Sequence, residues 1–425
     1  MTFDHDRPEG LLGAILTIEG IKDSATIVNG PTGCKYYPSS ASESSYPDRS
    51  GEAQTYNPFK YYREFFFSQP RVPCTYLDAN DYIMGSSGKL DRAVESVKGL
   101  GPKMIGIINS PGAALIGEEL SLKTVTDVPV VRMESPELSV SVGAGSQAAM
   151  LKILESVSPK RRKRKKGVNL IGMSIWHLGW QDSINDLKHL LEMCGVTVNA
   201  TIGAGCTVSD IRNSGSAELN AVVYNDFCSE VAEWYDENLG IPSAGSEFGA
   251  PIGFRALEDW VSSVCNELGK DSSKAMAEIK EKRRRTATVL STLRSERRPP
   301  RGHTFSVAAT GSLAYPVTEF LYSYLGMIPV AVSTGMDCTW DGKICSFMEA
   351  NDLEISNDVF NTPADVMIAD GNNIASAIQR NIISGGFDVL RPGLYNMDVL
   401  ERPVLGLGGT VRLLDSVLNI LERSL

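Results

Sequence analysis

The sequence predicts an α/β protein built on several open parallel sheets, and three observations predict it. Short apolar runs rich in Val and Ile recur along the 425 residues, longer stretches with helical periodicity separate them, and most of the runs end in Gly, Ser, Asn or Asp. Buried parallel strands read as continuous apolar segments, and crossover helices supply the longer periodic stretches between them. A chain of this length exceeds one ordinary hydrophobic core, so two or three domains are expected.

In chain order the strand candidates are "SATIVNG", "KMIGIINS", "VPVVRM", "VNLIGMS", "VTVNATIG", "LNAVVYND", "TFSVAAT", "IPVAVSTG", "ADVMIAD" and "RPVLGLGG". The alternation with helical stretches such as "SQAAMLKILESVS" is that of βαβ units. Two charged breaks divide the series. Seven consecutive basic residues run from Lys160 to Lys166, and "RSERRPPRGH" at 294–303 couples prolines with charge just ahead of a strand. Three units follow, at 1–159, 167–290 and 303–425, with 160–166 as a basic linker. Such a run reads first as a solvated linker, with a docking patch or a nucleic-acid contact as alternatives.

Charge argues against general nucleic-acid binding, since 41 basic residues face 51 acidic ones for a net of −10. No run approaches the roughly 18 apolar residues of a membrane span, and "MTFDHDRPEG" lacks the regions of a signal peptide. The expectation is a cytoplasmic protein with no membrane partner. The eight cysteines show no tight spacing, which in a reducing compartment favours free thiols or metal ligands over disulfides.

Ligands of parallel sheets gather at the carboxyl ends of strands. Cys34 lies there, in "VNGPTGC", where Gly30 and Gly33 allow a tight turn and Pro31 stiffens it. Such a turn can mount a metal thiolate, although a cysteine in a Gly-rich turn also serves structure alone. Cys74 follows another proline, with Asp78 and Asp81 close behind. Thiolates suit iron–sulfur clusters and zinc, and a carboxylate can replace one thiolate on a cluster iron. A site of four thiolates needs more than the two cysteines of this unit, so either a second chain completes it or there is no cluster. Cys74 as a small buried apolar residue is the plain alternative.

Further candidates lie downstream. His177, flanked by Trp176 and Trp180, fits a proton donor or a ring stacked on a flat substrate, or simply a packed histidine. Cys206 occupies the Gly-rich stretch "GAGCTVSD", and Cys338 and Cys345 stand seven apart. "GLGGT" at 406–410 is a possible phosphate cradle without the lysine of a P-loop, so no nucleotide is expected on this chain. The aromatic segment "YNPFKYYREFFFSQP" at 56–70 fits a subunit interface, a core helix or a substrate pocket.

Taken together, "NGPTGC", "DYIMGSSGKLDRAV", "INSPGAALIGEEL", the long stretch from "NLIGMSIWHLGW" to "LNAVVYND", "YDENLGIPS", "TFSVAATGSLAYPVTEF", "ADVMIADGNN" and "VLGLGGTVRLLDSVLNIL" resemble, in order, the motifs of nitrogenase component 1 and its relatives. The resemblance covers nearly the whole chain. It implies three Rossmann-like domains with parallel sheets flanked by helices, and pairing with itself or with a homologous subunit. It also implies electrons arriving from an ATP-dependent iron protein through an iron–sulfur cluster at the subunit interface. Cys34 falls on a family cluster ligand. Asn29 stands where histidine is common, Ser110 where a cysteine is common, and the first ligand, expected near "HDRPEGLLGA", is absent.

Those departures point away from an eight-iron cluster and toward a [4Fe–4S] cluster held by Cys34 and Cys74 from each of two chains, with Asp78 or Asp81 as a possible oxygen ligand. The family's cofactor-binding cysteine falls at about Tyr224, with Cys228 one helical turn later. His303, the last histidine, starts a strand, so no late histidine serves as second cofactor ligand. Dinitrogen reduction is therefore not expected. His177 and Tyr224 become candidate proton donors to a tetrapyrrole or a small molecule. A non-catalytic scaffold for metallocluster assembly is the alternative, and a metal-free binding protein follows if Cys34 is only structural.

Overall fold

The computed structural model describes residues 10–45, 72–85, 88–117, 120–134, 140–162, 167–296, 300–336, 339–356, 358–391, 393 and 401–423. Among them eleven strands form three sheets, and every pairing within the sheets is parallel. The first sheet holds β1 (Ser24–Asn29), β2 (Met104–Asn109) and β3 (Val130–Met133) in that order. The second is ordered β5-β4-β6-β7, from β4 (Val168–Ile171), β5 (Val198–Ile202), β6 (Leu219–Val222) and β7 (Ser243–Ala244). The third is ordered β11-β10-β8-β9, from β8 (Thr304–Ala308), β9 (Ile328–Ser333), β10 (Ala364–Asp370) and β11 (Ile383–Leu390). With helices in the crossovers, this is the α/β fold of parallel sheets that the sequence predicts.

Two elements differ from the sequence reading. "RPVLGLGG" forms no strand: its second half opens the helix Gly406–Arg423. The glycines there serve close approach, since a Cβ on Gly409 would stand 2.3 Å from the Val404 carbonyl oxygen. Conversely, β11 was not anticipated, because Ser384, Gly385 and Gly386 break its apolar run. A Cβ on Gly385 would meet Ile420 at 2.9 Å, and one on Gly386 would meet Ile374 at 2.7 Å. The strand gives up side chains so that helices can pack on both its faces.

The helix Gly10–Glu19 is buried along its whole length. It crosses the helix Val142–Val157 at glycines: a Cβ on Gly13 would lie 2.0 Å from the Val142 oxygen, and one on Gly145 would lie 2.0 Å from the Gly10 oxygen. Ser146 Oγ donates to the Gly13 carbonyl at 3.2 Å across this crossing. The pair packs on Ile171 and Ile202 of the second sheet and on Val28 and Ile108 of the first, in one apolar cluster. A second, larger cluster runs from Leu170 through Trp260 and Phe305 to Leu414, joining the second and third sheets.

Candidate functional site

The turn after β1 is fixed by a polar lattice. Asn29 and Asn109 end β1 and β2 in register, and Asn29 Nδ2 donates to Asn109 Oδ1 at 2.8 Å. Thr75 Oγ1 donates to Asn29 Oδ1 at 2.9 Å and accepts the Gly30 N–H at 2.9 Å. The segment around Cys74 thereby lies along β1 as an extra short strand. Val28 N–H donates to the Pro73 oxygen at 3.0 Å, Thr75 N–H to the Val28 oxygen at 3.1 Å, and Leu77 N–H to the Gly30 oxygen at 3.2 Å. Cys74 is thus bridged to Val28 and buried.

Cys34 sits in the first turn of the helix Thr32–Ser45, half-buried, and packs against the same apolar cluster that contains Cys74. Gly30 is required here: a Cβ would stand 2.4 Å from both Cβ and Oγ of Ser110. Gly33 meets nothing at that position, so only one of the two glycines expected to shape the turn is sterically needed. Ser110 itself caps the helix Pro111–Leu115 by accepting the Ala113 N–H at 3.3 Å. Residues 34, 74 and 110, separated in sequence, all gather at the carboxyl ends of β1 and β2.

The charges around this turn are committed locally. Lys35 is buried, its ammonium 5.2 Å from the centre of the Tyr76 ring. Burial lowers its pKa, while the nearby Cys74 acts in the opposite direction. Asp78 caps the helix Ala79–Met84, accepting from Asn80 and Asp81 N–H at 2.8 and 3.2 Å, and Asp81 returns a bond to the Asp78 N–H at 2.7 Å. Lys89 Nζ bonds both carboxylates and the Tyr76 carbonyl, the last at 3.2 Å. The Lys89 hydrogen bond is the main reason that the Asp81 carboxyl is held below its usual range. Both aspartates nominated as oxygen ligands thus serve a helix cap and an ion pair. Tyr76, with φ of +54°, takes a left-handed backbone that the Lys89 bond to its carbonyl helps hold.

Around the turn, large apolar side chains face outward. Tyr36, Tyr76, Ile83, Met84, Leu115 and Ile116 are all exposed, Leu115 at 88% and Met84 at 82%. The helices that carry Met84 and Leu115 adjoin, since a Cβ on Gly112 would lie 3.0 Å from the Tyr82 hydroxyl. Among the described residues, no three His, Cys, Asp or Glu side chains gather to hold a metal ion.

His177 and Tyr224, nominated separately in the sequence, meet at a second locus. Their rings stack with centroids 3.7 Å apart and planes 7° from parallel, and Phe227 closes edge-on to His177 at 4.7 Å. Both are fully buried, which lowers the His177 pKa to about 3 and raises that of the Tyr224 hydroxyl. Near neutral pH the imidazole is uncharged and the phenol protonated, so neither has the acidity of an imidazolium donor. The Ser174 carbonyl already accepts the His177 backbone N–H at 3.1 Å. His177 Nδ1 lies 3.2 Å from both the Ser174 amide nitrogen and the Ser174 carbonyl oxygen, so either ring tautomer finds a partner there. Phe227, Cys228 and Ser174 also line a small pocket of about 20 Å³ that reaches Thr17 and Ser146.

The remaining candidates separate from both loci. Cys206 is shut in the core, bridged to Ile21, and burial pushes its thiol up to about 12. Cys228 is buried with its Sγ on the Tyr224 carbonyl at 3.3 Å, and its pKa is likewise raised by burial. Cys345 is exposed, and Cys338 lies outside the described residues. His303 sits just before β8, with Nδ1 3.2 Å from Asp365. The "GLGGT" helix start is filled by the chain itself, since Asp186 Oδ2 accepts the Gly408 N–H at 2.8 Å. Of the basic linker, Arg161 donates to the Gly215 and Ala217 carbonyls at 3.3 and 3.2 Å, so it is anchored rather than wholly solvated; 163–166 lie outside the described residues, as does the aromatic segment 56–70.

The family model described as nitrogenase component 1 type oxidoreductase matches residues 10–422. The chain belongs to that family. Among curated proteins it is 25% identical over 185 residues to a subunit of the light-independent protochlorophyllide reductase of Synechococcus sp. (strain CC9311), covering 37% of this chain and 35% of that one. It is 25% identical over 212 residues to the corresponding protein from Prochlorococcus marinus (strain NATL1A), covering 46% and 40%. The matches thus span about a third to two fifths of these relatives' length. The fold extends further: a solved structure described as nitrogenase Cp1 at pH 6.5 superposes with a TM-score of 0.74 at 16% identity, covering 97% of this chain and 92% of that one. A second, at pH 5, gives 0.64 at 17% identity, with 98% and 89% covered.

Within this member of the nitrogenase component 1 family, the sequence marked the thiols but not what supports them. Thr75 and Lys35 carried no spacing signal, because their roles depend on contacts made only when residues 73–77 lie along β1. No helix among the described residues is long and apolar enough to cross a membrane.

Proposed function

We propose that this chain is the catalytic component of a nitrogenase-like reductase, taking electrons from an ATP-dependent iron protein through an iron–sulfur cluster shared between two like chains. The observation that carries this reading is the convergence of Cys34 and Cys74 at the carboxyl end of β1, inside a rim of exposed apolar side chains. One chain offers two thiols, and a two-fold partner would double them to the four of a cubane site. The residues fit that group: the half-exposed Cys34 can reach a partner, buried Lys35 offsets thiolate charge, and the apolar rim would exclude water once covered. A bound cluster would supply a one-electron relay of low potential.

The substrate side falls to the loops that follow β4 and β6, where the His177 and Tyr224 rings stack. The tetrapyrrole named in the curated relatives makes that class the first substrate to try. Each of the three units 1–159, 167–290 and 303–425 would then carry one sheet around a common cleft, in a protein of the cytoplasm.

Anaerobic purification followed by iron and sulfide analysis and EPR tests the reading. The expected result is a cubane signal in the wild type and its loss, with the fold intact, in Cys34→Ala. Unchanged iron content in that variant would defeat it. Turnover with a cognate iron protein, ATP and dithionite distinguishes an enzyme from a cluster-assembly scaffold.

A further inference from the structure

Lys35 is an unusual residue to find inside a protein. Lysine is almost never fully buried without compensation, because its ammonium loses hydration that an apolar interior cannot replace. Lys35 is 1% exposed, on the helix Thr32–Ser45, one residue after Cys34. Tyr36, the next residue, is 68% exposed, and Cys34 is half-buried. The lysine therefore turns inward from a helix end whose other faces reach the surface.

What it meets there is the segment that carries Cys74. Lys35 Nζ lies 5.2 Å from the centre of the Tyr76 ring, and Tyr76 follows Cys74 by two residues. Burial lowers the Lys35 pKa and raises that of the Tyr76 hydroxyl; in both groups the next influence is the charge of Cys74, which favours the protonated form. The three side chains are thus within electrostatic reach of one another. An aromatic face attracts a cation without neutralising it, so the ammonium charge still acts on the thiolates. The carboxylates of the region are engaged elsewhere. Asp78 and Asp81 share Lys89, and buried Glu19 accepts from Thr26 at 2.6 Å and from Ser42 at 2.9 Å. Ser42 stands seven residues beyond Lys35, about 10 Å along the helix.

We propose that Lys35 sets the reduction potential of the cluster held by Cys34 and Cys74, its buried ammonium making that cluster easier to reduce. The inference deepens the reductase reading and rests on it. A four-thiolate cubane is anionic and becomes more so on gaining an electron. A fixed positive charge in a low-dielectric site stabilises the reduced state more than the oxidised one, and burial protects the effect from salt. Lys35 contributes no ligand and acts only through this field. It eases the transfer of one electron from a reduced iron–sulfur donor protein, which is oxidised, to the cluster, which is reduced. In a two-fold pair both copies of Lys35 face one cluster, so a single substitution removes two charges.

The test is a redox titration of the full chain purified without oxygen, with the EPR signal of the reduced cluster read against potential set by dithionite and mediator dyes. Iron and sulfide are measured on the same samples. Lys35→Met, which keeps the length of the side chain and deletes its charge, should hold as much iron as the wild type. Its midpoint should lie lower by about 59 mV or more, a tenfold change in the ratio of reduced to oxidised cluster. Lys35→Arg, which keeps the charge, should recover most of the wild-type potential, and Lys35→Gln is the second neutral variant should Lys35→Met fold poorly. A neutral variant with wild-type iron and wild-type potential overturns the role of Lys35 and leaves the reductase reading standing. Loss of iron from both neutral variants makes Lys35 a residue of cluster assembly and also overturns it. Wild-type protein without iron and sulfide removes the reading and this inference together.

Discussion

His177 lies flat on Tyr224, ring centroids 3.7 Å apart and planes within 7°, in a position closed to solvent. The stack has a pH signature. Burial holds the folded imidazole at about 3 against an unfolded value of 6.5. Between those values the unfolded chain binds a proton that the folded chain refuses, so stability rises with pH through this window and is lost as pH falls below 6.5. Each unit of acidification within it costs up to about 1.4 kcal/mol. His177→Phe keeps a stacked ring and removes the titration. Guanidinium unfolding from pH 7 to pH 4.5 should show a shallower loss in the variant, and parallel curves would contradict the assignment.

Cys74 is tied to the sheet through its neighbours. The Val28 bridge and the Thr75 bonds to Asn29 and Gly30 place it, and the thiol itself is buried. Cys74→Ala therefore removes only one small buried sulfur and should cost no more than about 2 kcal/mol. If the thiol is a ligand, iron per chain drops as it does in Cys34→Ala. A variant that retains full iron would return Cys74 to a packing role. Thr75→Val offers an indirect probe, since it breaks the lattice without touching either thiol. Its expected outcome is a cluster that forms but is lost faster to a chelator.

The fold was legible where strands are fully buried. Runs such as "KMIGIINS" and "ADVMIAD" announce β2 and β10 because their central residues, Met104 to Ile108 and Val366 to Ala369, are apolar and buried. β11 was illegible because Gly385 and Gly386 yield their side-chain space to Ile420 and Ile374, a demand set by helices far away in sequence. The site divides the same way. Glycine and proline marked the Cys34 turn locally, whereas the approach of Cys74 to β1 depends on strand-like bonding between residues 46 apart in sequence.

The helix crossing beneath the site makes a steric prediction. Gly145 lets the helix Val142–Val157 touch the helix Gly10–Glu19, and a Cβ there would lie 2.0 Å from the Gly10 oxygen. Backbone on both sides cannot yield as a flexible side chain would, so Gly145→Ala should destabilise by at least about 1–3 kcal/mol, the range for overpacking. Gly195→Ala meets no atoms but has φ of +68°, which isolates the cost of left-handed backbone from that of steric clash. Thermal unfolding of the two variants side by side separates these causes, and a Gly145→Ala protein as stable as the wild type would show that the helices can part.

Asp186 explains why "GLGGT" is no phosphate site and sets the last prediction. Its carboxylate accepts from Gly408 N–H at 2.8 Å, while Ser183, one turn earlier, accepts from Val404 N–H at 3.0 Å. Together with Asp182, which accepts the Arg402 N–H at 2.7 Å, they staple the helix Trp180–Met193 to the approach of the helix Gly406–Arg423. Burial is the main influence on Asp186 and raises its pKa, so its charge opposes folding as pH rises above the unfolded value of 3.8. The backbone N–H bonds work against that cost. Asp186→Asn keeps an acceptor oxygen and removes the charge, and should change stability near neutral pH far less than Asp186→Ala, which strands the helix-start N–H groups at a cost of about 1–3 kcal/mol. If Asp186→Ala also opened the cradle, inorganic phosphate would stabilise that variant alone in a thermal-shift titration. Phosphate stabilising the wild type equally would contradict the plugged helix start.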